Sequence, residues 1–223
     1  MVKAIIFDLD NTLIDFMKMK RASCEEAMAS MIDSGLKIKK EEGMKILFQL
    51  YDQYGIEYKK IFQEFLKKTL GKIDWKILAN GIVAYRRVKT GLLTPYPHVH
   101  STLLQLKMNG IRLAIVTDAP RMRAWLRLAG MNLTDFFEVV VTHDDTGEKK
   151  PHALPFETAL KELNVQPKDV IMVGDWIERD IEGAKKLGMK TCFARYGAVE
   201  SQLEKDSGAD FEIDDIQELL KLV

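Results

Sequence analysis

Val2-Lys3-Ala4-Ile5-Ile6-Phe7 is an apolar run that stops abruptly at Asp8-Leu9-Asp10-Asn11-Thr12-Leu13. A strand this evenly apolar needs cover on both faces, which is the condition of a parallel strand inside an α/β sheet. Its carboxyl end is where open α/β sheets place their ligands. Residues two apart on an extended segment point the same way, so Asp8 and Asp10 converge. Such a pair repels itself unless a cation lies between or one carboxyl holds a proton. Asp and Asn also serve ordinary turns, so the pair takes its meaning from the rest of the chain.

After Leu13 the periodicity becomes helical and stays so until Thr94-Pro95-Tyr96-Pro97 breaks it. The spacing predicts helices over 17–32, 41–54, 57–70 and 73–88, with Gly55 and Gly71 closing the second and third. Phe48, Tyr51, Tyr54, Tyr58, Phe62, Phe65, Trp75 and Tyr85 supply apolar material for a small bundle with its own core. Beyond Pro97, strands at 113–116, 139–141, 170–173 and 191–194 alternate with helices near 98–108, 120–129, 180–187 and one ending at 163; a strand and a helix over 211–222 finish the chain. That alternation predicts an α/β fold, a doubly wound parallel (Rossmann-like) sheet. The expected organisation is an α/β core from 1–15 and 96–223, with an all-α helical domain, 16–95, inserted after the first strand.

Lysine plus arginine matches aspartate plus glutamate at 33 each. No net field recruits nucleic acid or an anionic membrane, and the expected partner is a small molecule. No apolar run is long enough to span a bilayer, and the first residues enter a strand instead of a signal peptide, so a cytoplasmic protein is expected. Cys24 and Cys192 have no metal-ligand spacing and read as reduced thiols. Monomer and homodimer are equally compatible with the sequence.

Three further strand ends carry polar groups on the edge expected for Asp8: Thr117 a hydroxyl, Lys150 an ammonium, and Asp175 a carboxylate, with Asp180 on the next turn. A nucleophilic carboxylate, a proton carrier, a hydroxyl donor, a fixed cation and oxygen ligands for a metal are the requirements of chemistry at a phosphoryl group.

Asp8-Leu9-Asp10-Asn11-Thr12-Leu13, Val116-Thr117-Asp118, Lys150-Pro151 and Val173-Gly174-Asp175 with Asp180 resemble, in order and spacing, the four motifs of the haloacid dehalogenase-like hydrolase superfamily. The helical insertion after the first motif looks like that family's cap. The resemblance implies that Asp8 attacks phosphorus to form an aspartyl phosphate. Asp10 would protonate the leaving oxygen and then take a proton from water. Thr117, the backbone amide of Asp118 and Lys150 would hold the phosphoryl oxygens. Mg²⁺ would lie on Asp8, Asp175 and the backbone carbonyl of Asp10, with Asp180 orienting Lys150 or a metal-bound water. Electrostatics give a separate reason for the metal: like charges about 4 Å apart cost roughly 4 kcal/mol at an effective dielectric near 20. Several carboxylates and a phosphate dianion cannot share a pocket with Lys150 alone, and oxygen ligands favour Mg²⁺ over zinc.

The reaction expected from this resemblance is Mg²⁺-dependent hydrolysis of small phosphate monoesters such as phosphoglycolate, glyceraldehyde phosphate or sugar phosphates. The dehalogenases of the superfamily lack an aspartate two after the nucleophile, and Asp10 is present here. A mutase resembling β-phosphoglucomutase uses the same groups. A phosphate-storing receiver domain is the non-enzyme alternative, disfavoured by the helical insertion and by an accepting aspartate on the first strand. Asp118 departs from the Asn common at that position and would bring a further negative charge if its side chain faced the phosphate. Asn11 and Trp176, beside the motif aspartates, are further candidates to meet substrate. Tyr54, Tyr85, Arg86 and Arg87 read more simply as bundle core or solvated face. His98, His100, His143 and His152 show no ligand or triad spacing and read as surface or capping residues.

Overall fold

β1 (Ala4–Phe7) is buried on both faces, as its unbroken apolar sequence requires. In the computed structural model, which describes residues 2–223, it is a central strand. It pairs in parallel with β2 (Arg112–Val116) on one side and β4 (Val170–Gly174) on the other. β3 (Val139–Val141), β5 (Lys190–Ala194) and β6 (Phe211–Ile213) complete a six-stranded parallel sheet of order β3-β2-β1-β4-β5-β6. Phe7 stands level with both Ile115 and Val173, so the segments after β1, β2 and β4 begin at one level. The chain builds outward from β1 in both directions, which makes the β1/β4 boundary the switch point where such sheets open a crevice.

Parallel pairing needs crossover helices, and their apolar faces cover the sheet. α8 (Ala153–Glu162) brings Phe156, Ala159 and Leu160, followed by Leu163, onto Ile6, Ala114, Val116, Val170 and Met172. Each large apolar side chain so buried contributes about 1.5–3 kcal/mol. α5 (Val99–Met108) packs on β2 and on a C-terminal 3₁₀ helix, Ile216–Lys221, whose start is closed by a capping box from Asp215 and Glu218. α6 (Arg121–Gly130) follows β2, and the short α7 (His143–Thr146) follows β3. α9 (Glu182–Lys185) and α10 (Glu200–Leu203) follow β4 and β5.

The chain divides into two units, Met1–Phe16 with Thr94–Val223, and Met17–Leu93. The second holds four helices and their connections: α1 (Phe16–Asp33) but for its first residue, α2 (Lys40–Tyr54), α3 (Ile61–Leu70) and α4 (Trp75–Gly91). Its core joins Met28, Met31, Leu47, Phe65, Leu66 and Ile77 among others. Within the first unit the outgoing and returning segments are tied together. Ile14 bridges Pro95, and Tyr96 N–H donates to Leu13 O at 2.9 Å.

Local chemistry moved several boundaries away from those the periodicity predicts. The helix expected from Glu57 begins at Ile61, because Tyr58 N–H closes a turn on Gly55 O. The helix expected near Asp180 is entered through one wide π turn, Ile177–Ile181. α7 occupies what reads as loop, held by a box between Thr142 and Asp145. The C-terminal helix is 3₁₀. Trp75, expected among the bundle aromatics, is 72% exposed, since it opens α4 just after the Asp74 cap and the inward face is Ile77, Leu78, Gly81 and Ala84. Tyr54 is also exposed, stacked on Tyr58 at 4.9 Å. Among the described residues no helix is long and apolar enough to cross a membrane.

The segment after β5 presses on the loop after β1. Tyr196 Oη donates to Thr12 O at 2.8 Å, and a Cβ added to Gly197 would fall 1.5 Å from the carbonyl oxygen of Asn11. A backbone atom cannot swing aside as a flexible side-chain end can. Gly197→Ala is therefore expected to lower the unfolding free energy by about 1–3 kcal/mol, read by urea denaturation. Gly91→Ala, with open space around its Cβ at the end of α4, is expected to be neutral or to stabilise by about 0.5–1 kcal/mol.

Candidate active site

The carboxyl ends of β1, β2 and β4 deliver Asp8, Thr117 and Asp175 to one edge of the sheet. All three are buried, as are Lys150 and Asp180. Asp8 N–H donates to Val173 O at 2.9 Å, which continues the β1/β4 pairing by one residue and places Asp8 beside Asp175. Lys150 arrives from the loop before α8, where its bond to Pro151 is cis. Its Nζ donates to Asp8 Oδ1 and to Asp180 Oδ1, each at 2.6 Å.

Burial alone would push the Lys150 pKa down, but Asp180, Asp8 and Asp118 outweigh it and hold the ammonium above its ordinary range. Lys150 is thus a fixed positive charge. Asp180 also accepts from Trp176 N–H at 3.1 Å, so both its oxygens are engaged. A Cβ on Gly174 would fall 2.3 Å from the Asp180 carboxyl, so the absence of a side chain at the end of β4 is what admits it.

Carboxylate oxygens of Asp8, Asp175 and Asp180 lie within 4.8 Å of one another. Burial, then Asp8, then Asp180, push the Asp175 pKa well up, only partly opposed by Lys150 and by the Thr12 hydroxyl, which donates to Asp175 Oδ1 at 3.2 Å. This cluster of hard, buried oxygens with excess negative charge fits a divalent cation of the Mg²⁺ type.

The other expected residues divide by what their side chains touch. Asp118 turns its carboxylate to the loop carrying Lys150: Oδ1 accepts from Lys150 N–H at 2.9 Å and Oδ2 lies 3.7 Å from Arg179 Nη1. The Asp118 side chain therefore anchors the lysine loop. Thr117 Oγ1 accepts from Ala119 N–H at 3.2 Å. Asn11 sits at φ 60° and donates its backbone N–H to Ile14 O, shaping the turn that follows Asp10. The Trp176 ring carries the Arg179 guanidinium at 4.5 Å from its centroid. Asp10 lies apart from the three clustered carboxylates, with Oδ2 at 2.9 Å from Arg127 Nη1. The histidines take local roles: His152 caps α8, and His98 pairs with Asp215.

Arg127 and Thr12 touch expected site residues, Asp10 and Asp175, and are not themselves among the residues the sequence singles out. For Arg127 a signal existed, since it shares the inward face of α6 with Ala124 and Leu128, where a charged residue has no reason to be unless paired.

The chain belongs to the haloacid dehalogenase-like hydrolase family, whose model matches residues 5–194. It is 39% identical to a glyceraldehyde 3-phosphate phosphatase of Methanocaldococcus jannaschii, over 100% of this chain and 97% of that protein. It is 36% identical to a protein of the same name from Pyrococcus furiosus, over 100% and 93%. Among solved structures, a HAD phosphatase from Thermococcus onnurineus aligns with a TM-score of 0.71 at 26% identity, over 99% of this chain and 97% of that one.

The charge balance gives a direct test of the cation site. In chelator, Asp175→Asn is expected to melt above wild type, because it removes one of three mutually repelling buried charges while its amide oxygen can still accept from Thr12. Millimolar Mg²⁺ is expected to raise the melting temperature of wild type and to leave that of Asp175→Asn unmoved, both read by thermal-shift measurement.

Proposed function

We propose that this protein is a cytoplasmic, Mg²⁺-dependent phosphatase of small phosphate monoesters, with a triose phosphate such as glyceraldehyde 3-phosphate as the leading substrate. The observation that carries the reading is Lys150 held 2.6 Å from both Asp8 and Asp180 inside a buried carboxylate cluster. That arrangement sets a carboxyl group against a fixed cation and supplies positive charge to receive a phosphoryl group. The names of the relatives from Methanocaldococcus jannaschii and Pyrococcus furiosus support the choice of substrate.

In the proposed reaction a carboxylate oxygen of Asp8 attacks phosphorus and the bond from phosphorus to the ester oxygen breaks. Asp10 gives its proton to that departing oxygen, since an alkoxide is a poor leaving group. Lys150, the Thr117 hydroxyl and the amide of Asp118 hold the phosphoryl oxygens. Asp10 then takes a proton from water as the water oxygen attacks phosphorus, the bond to Asp8 breaks, and inorganic phosphate leaves. Asp180 and Asp118 hold Lys150 by its side chain and by its backbone. Mg²⁺ would be held by Asp8, Asp175 and the carbonyl of Asp10, and when bound it offsets negative charge on the phosphoryl group. Asn11 and Trp176 are assigned to the substrate's surroundings, and substrate choice to the helical unit inserted after the first motif.

Phosphate release over a panel of phosphoglycolate, glyceraldehyde 3-phosphate, sugar phosphates and nucleoside monophosphates tests the reading. The triose phosphate is expected to have the highest kcat/KM, chelator and Asp8→Asn to abolish turnover, and Asp10→Asn to lower it by about 10²–10⁴-fold. One stable phosphate per chain without turnover would instead mark a phosphate-storing switch.

A further inference from the structure

We propose that Arg127 is a positioning residue that fixes the Asp10 carboxyl for proton transfer to the leaving group; this rests on the phosphatase reading of Asp10 above. The Arg127 side chain is 2% exposed and is the largest fully buried side chain among the described residues. Its Nη1 lies 2.9 Å from Asp10 Oδ2, and its Cζ lies 4.4 Å from the centroid of the Phe16 ring. The guanidinium is therefore held by charge at one contact and by an aromatic face at another, an arrangement suited to a planar cation and poorly met by an ammonium.

The mounting of Arg127 is rigid. It projects from the face of α6 that carries the fully buried Ala124 and Leu128. The helix start is fixed by Arg121 N–H donating to Asp144 Oδ2 at 2.9 Å. The Asp10 backbone is restrained as well, through its bridge to Ile14 and that of Ile14 to Pro95. With both main chains fixed, the ion pair restricts what remains mobile, the side-chain torsions of Asp10.

Stability alone does not account for such a pair. Taking a guanidinium out of water is costly, and an apolar side chain of like volume serves a core as well or better. The Asp10 side chain keeps one-quarter of its surface exposed although its Oδ1 is buried, so the pair fixes the carboxyl without sealing the residue off from solvent. The pair also keeps the carboxyl out of the cluster formed by Asp8, Asp175 and Asp180. Asp10 is thereby reserved for proton transfer, a role that depends on hydrogen-bond reach to one oxygen.

A purely structural arginine and a positioning arginine differ in how their loss depends on the leaving group. An alkyl ester needs a proton on its departing oxygen, whereas p-nitrophenyl phosphate releases a stable phenolate without one. The parameter to compare is kcat/KM, which stops at departure of the alcohol and excludes the later step in which Asp10 serves as base. Arg127→Met is expected to lower kcat/KM about 100-fold for glyceraldehyde 3-phosphate and only about threefold for p-nitrophenyl phosphate, with Arg127→Lys between wild type and Met. The double variant Arg127→Met/Asp10→Asn is expected to be no slower on the triose phosphate than Asp10→Asn alone, because both act through one carboxyl.

Equal losses on the two esters, or additive losses in the double variant, would overturn the assignment. Circular dichroism and thermal melts establish that each variant is folded; if the Met variant is not, the Lys variant carries the same ester comparison and the same cycle. Wild type that turns over neither ester would sink the phosphatase reading and this assignment with it. Wild type active on both, with ester-independent loss at Arg127, would sink this assignment alone.

Discussion

Three carboxylates buried at the carboxyl edge of a parallel sheet repel one another, and the surrounding structure is arranged to hold them there regardless. Like charges at about 4 Å cost roughly 4 kcal/mol per pair at an effective dielectric near 20. Lys150 offsets part of this by bonding Asp8 and Asp180 at once. Asp118 fixes the lysine's own backbone, Gly174 clears the volume Asp180 occupies, and Thr12 donates to Asp175. The residual excess of negative charge is what recommends the cluster as a cation site, and together with burial, the larger cause, it pushes the Asp175 pKa up.

The two aspartates of the first motif are separated by the same logic. Asp8 is drawn to Lys150 and the cluster, while Asp10, two residues on, is drawn to Arg127. Their positions on an extended segment would let both point to one spot. Two different cations, delivered from the loop before α8 and from α6, hold them to different tasks. In the proposed chemistry that is the division between a nucleophile and a proton carrier. The mounting for both comes from the sheet, whose parallel register brings the ends of β1, β2 and β4 to one level.

Much of the fold is legible in the sequence. Apolar runs ending in Asp8, Thr117 and Asp175 identify buried parallel strands, and the change from strand to helix periodicity after Leu13 identifies a helical insertion. What could not be read was set by local hydrogen bonding or by geometry. Tyr58 closing on Gly55 delays α3, the Thr142–Asp145 box makes α7, and Trp75 faces solvent because it precedes the inward face of α4. Asp118 was legible as a departure from a pattern, but the direction of its side chain, toward Lys150 N–H, was not.

The sequence by itself determined the sheet class, the helical insertion and the set of groups available for phosphoryl chemistry, because these follow from periodicity and from residue type at strand ends. Only the tertiary structure decided which cation meets which carboxylate. That choice depends on contacts between residues far apart in the chain, Lys150 with Asp8 and Asp180, and Arg127 with Asp10. Periodicity carries no information about such pairings, since they are fixed by strand order, by register and by the few ångströms that Gly174 and Gly197 leave open.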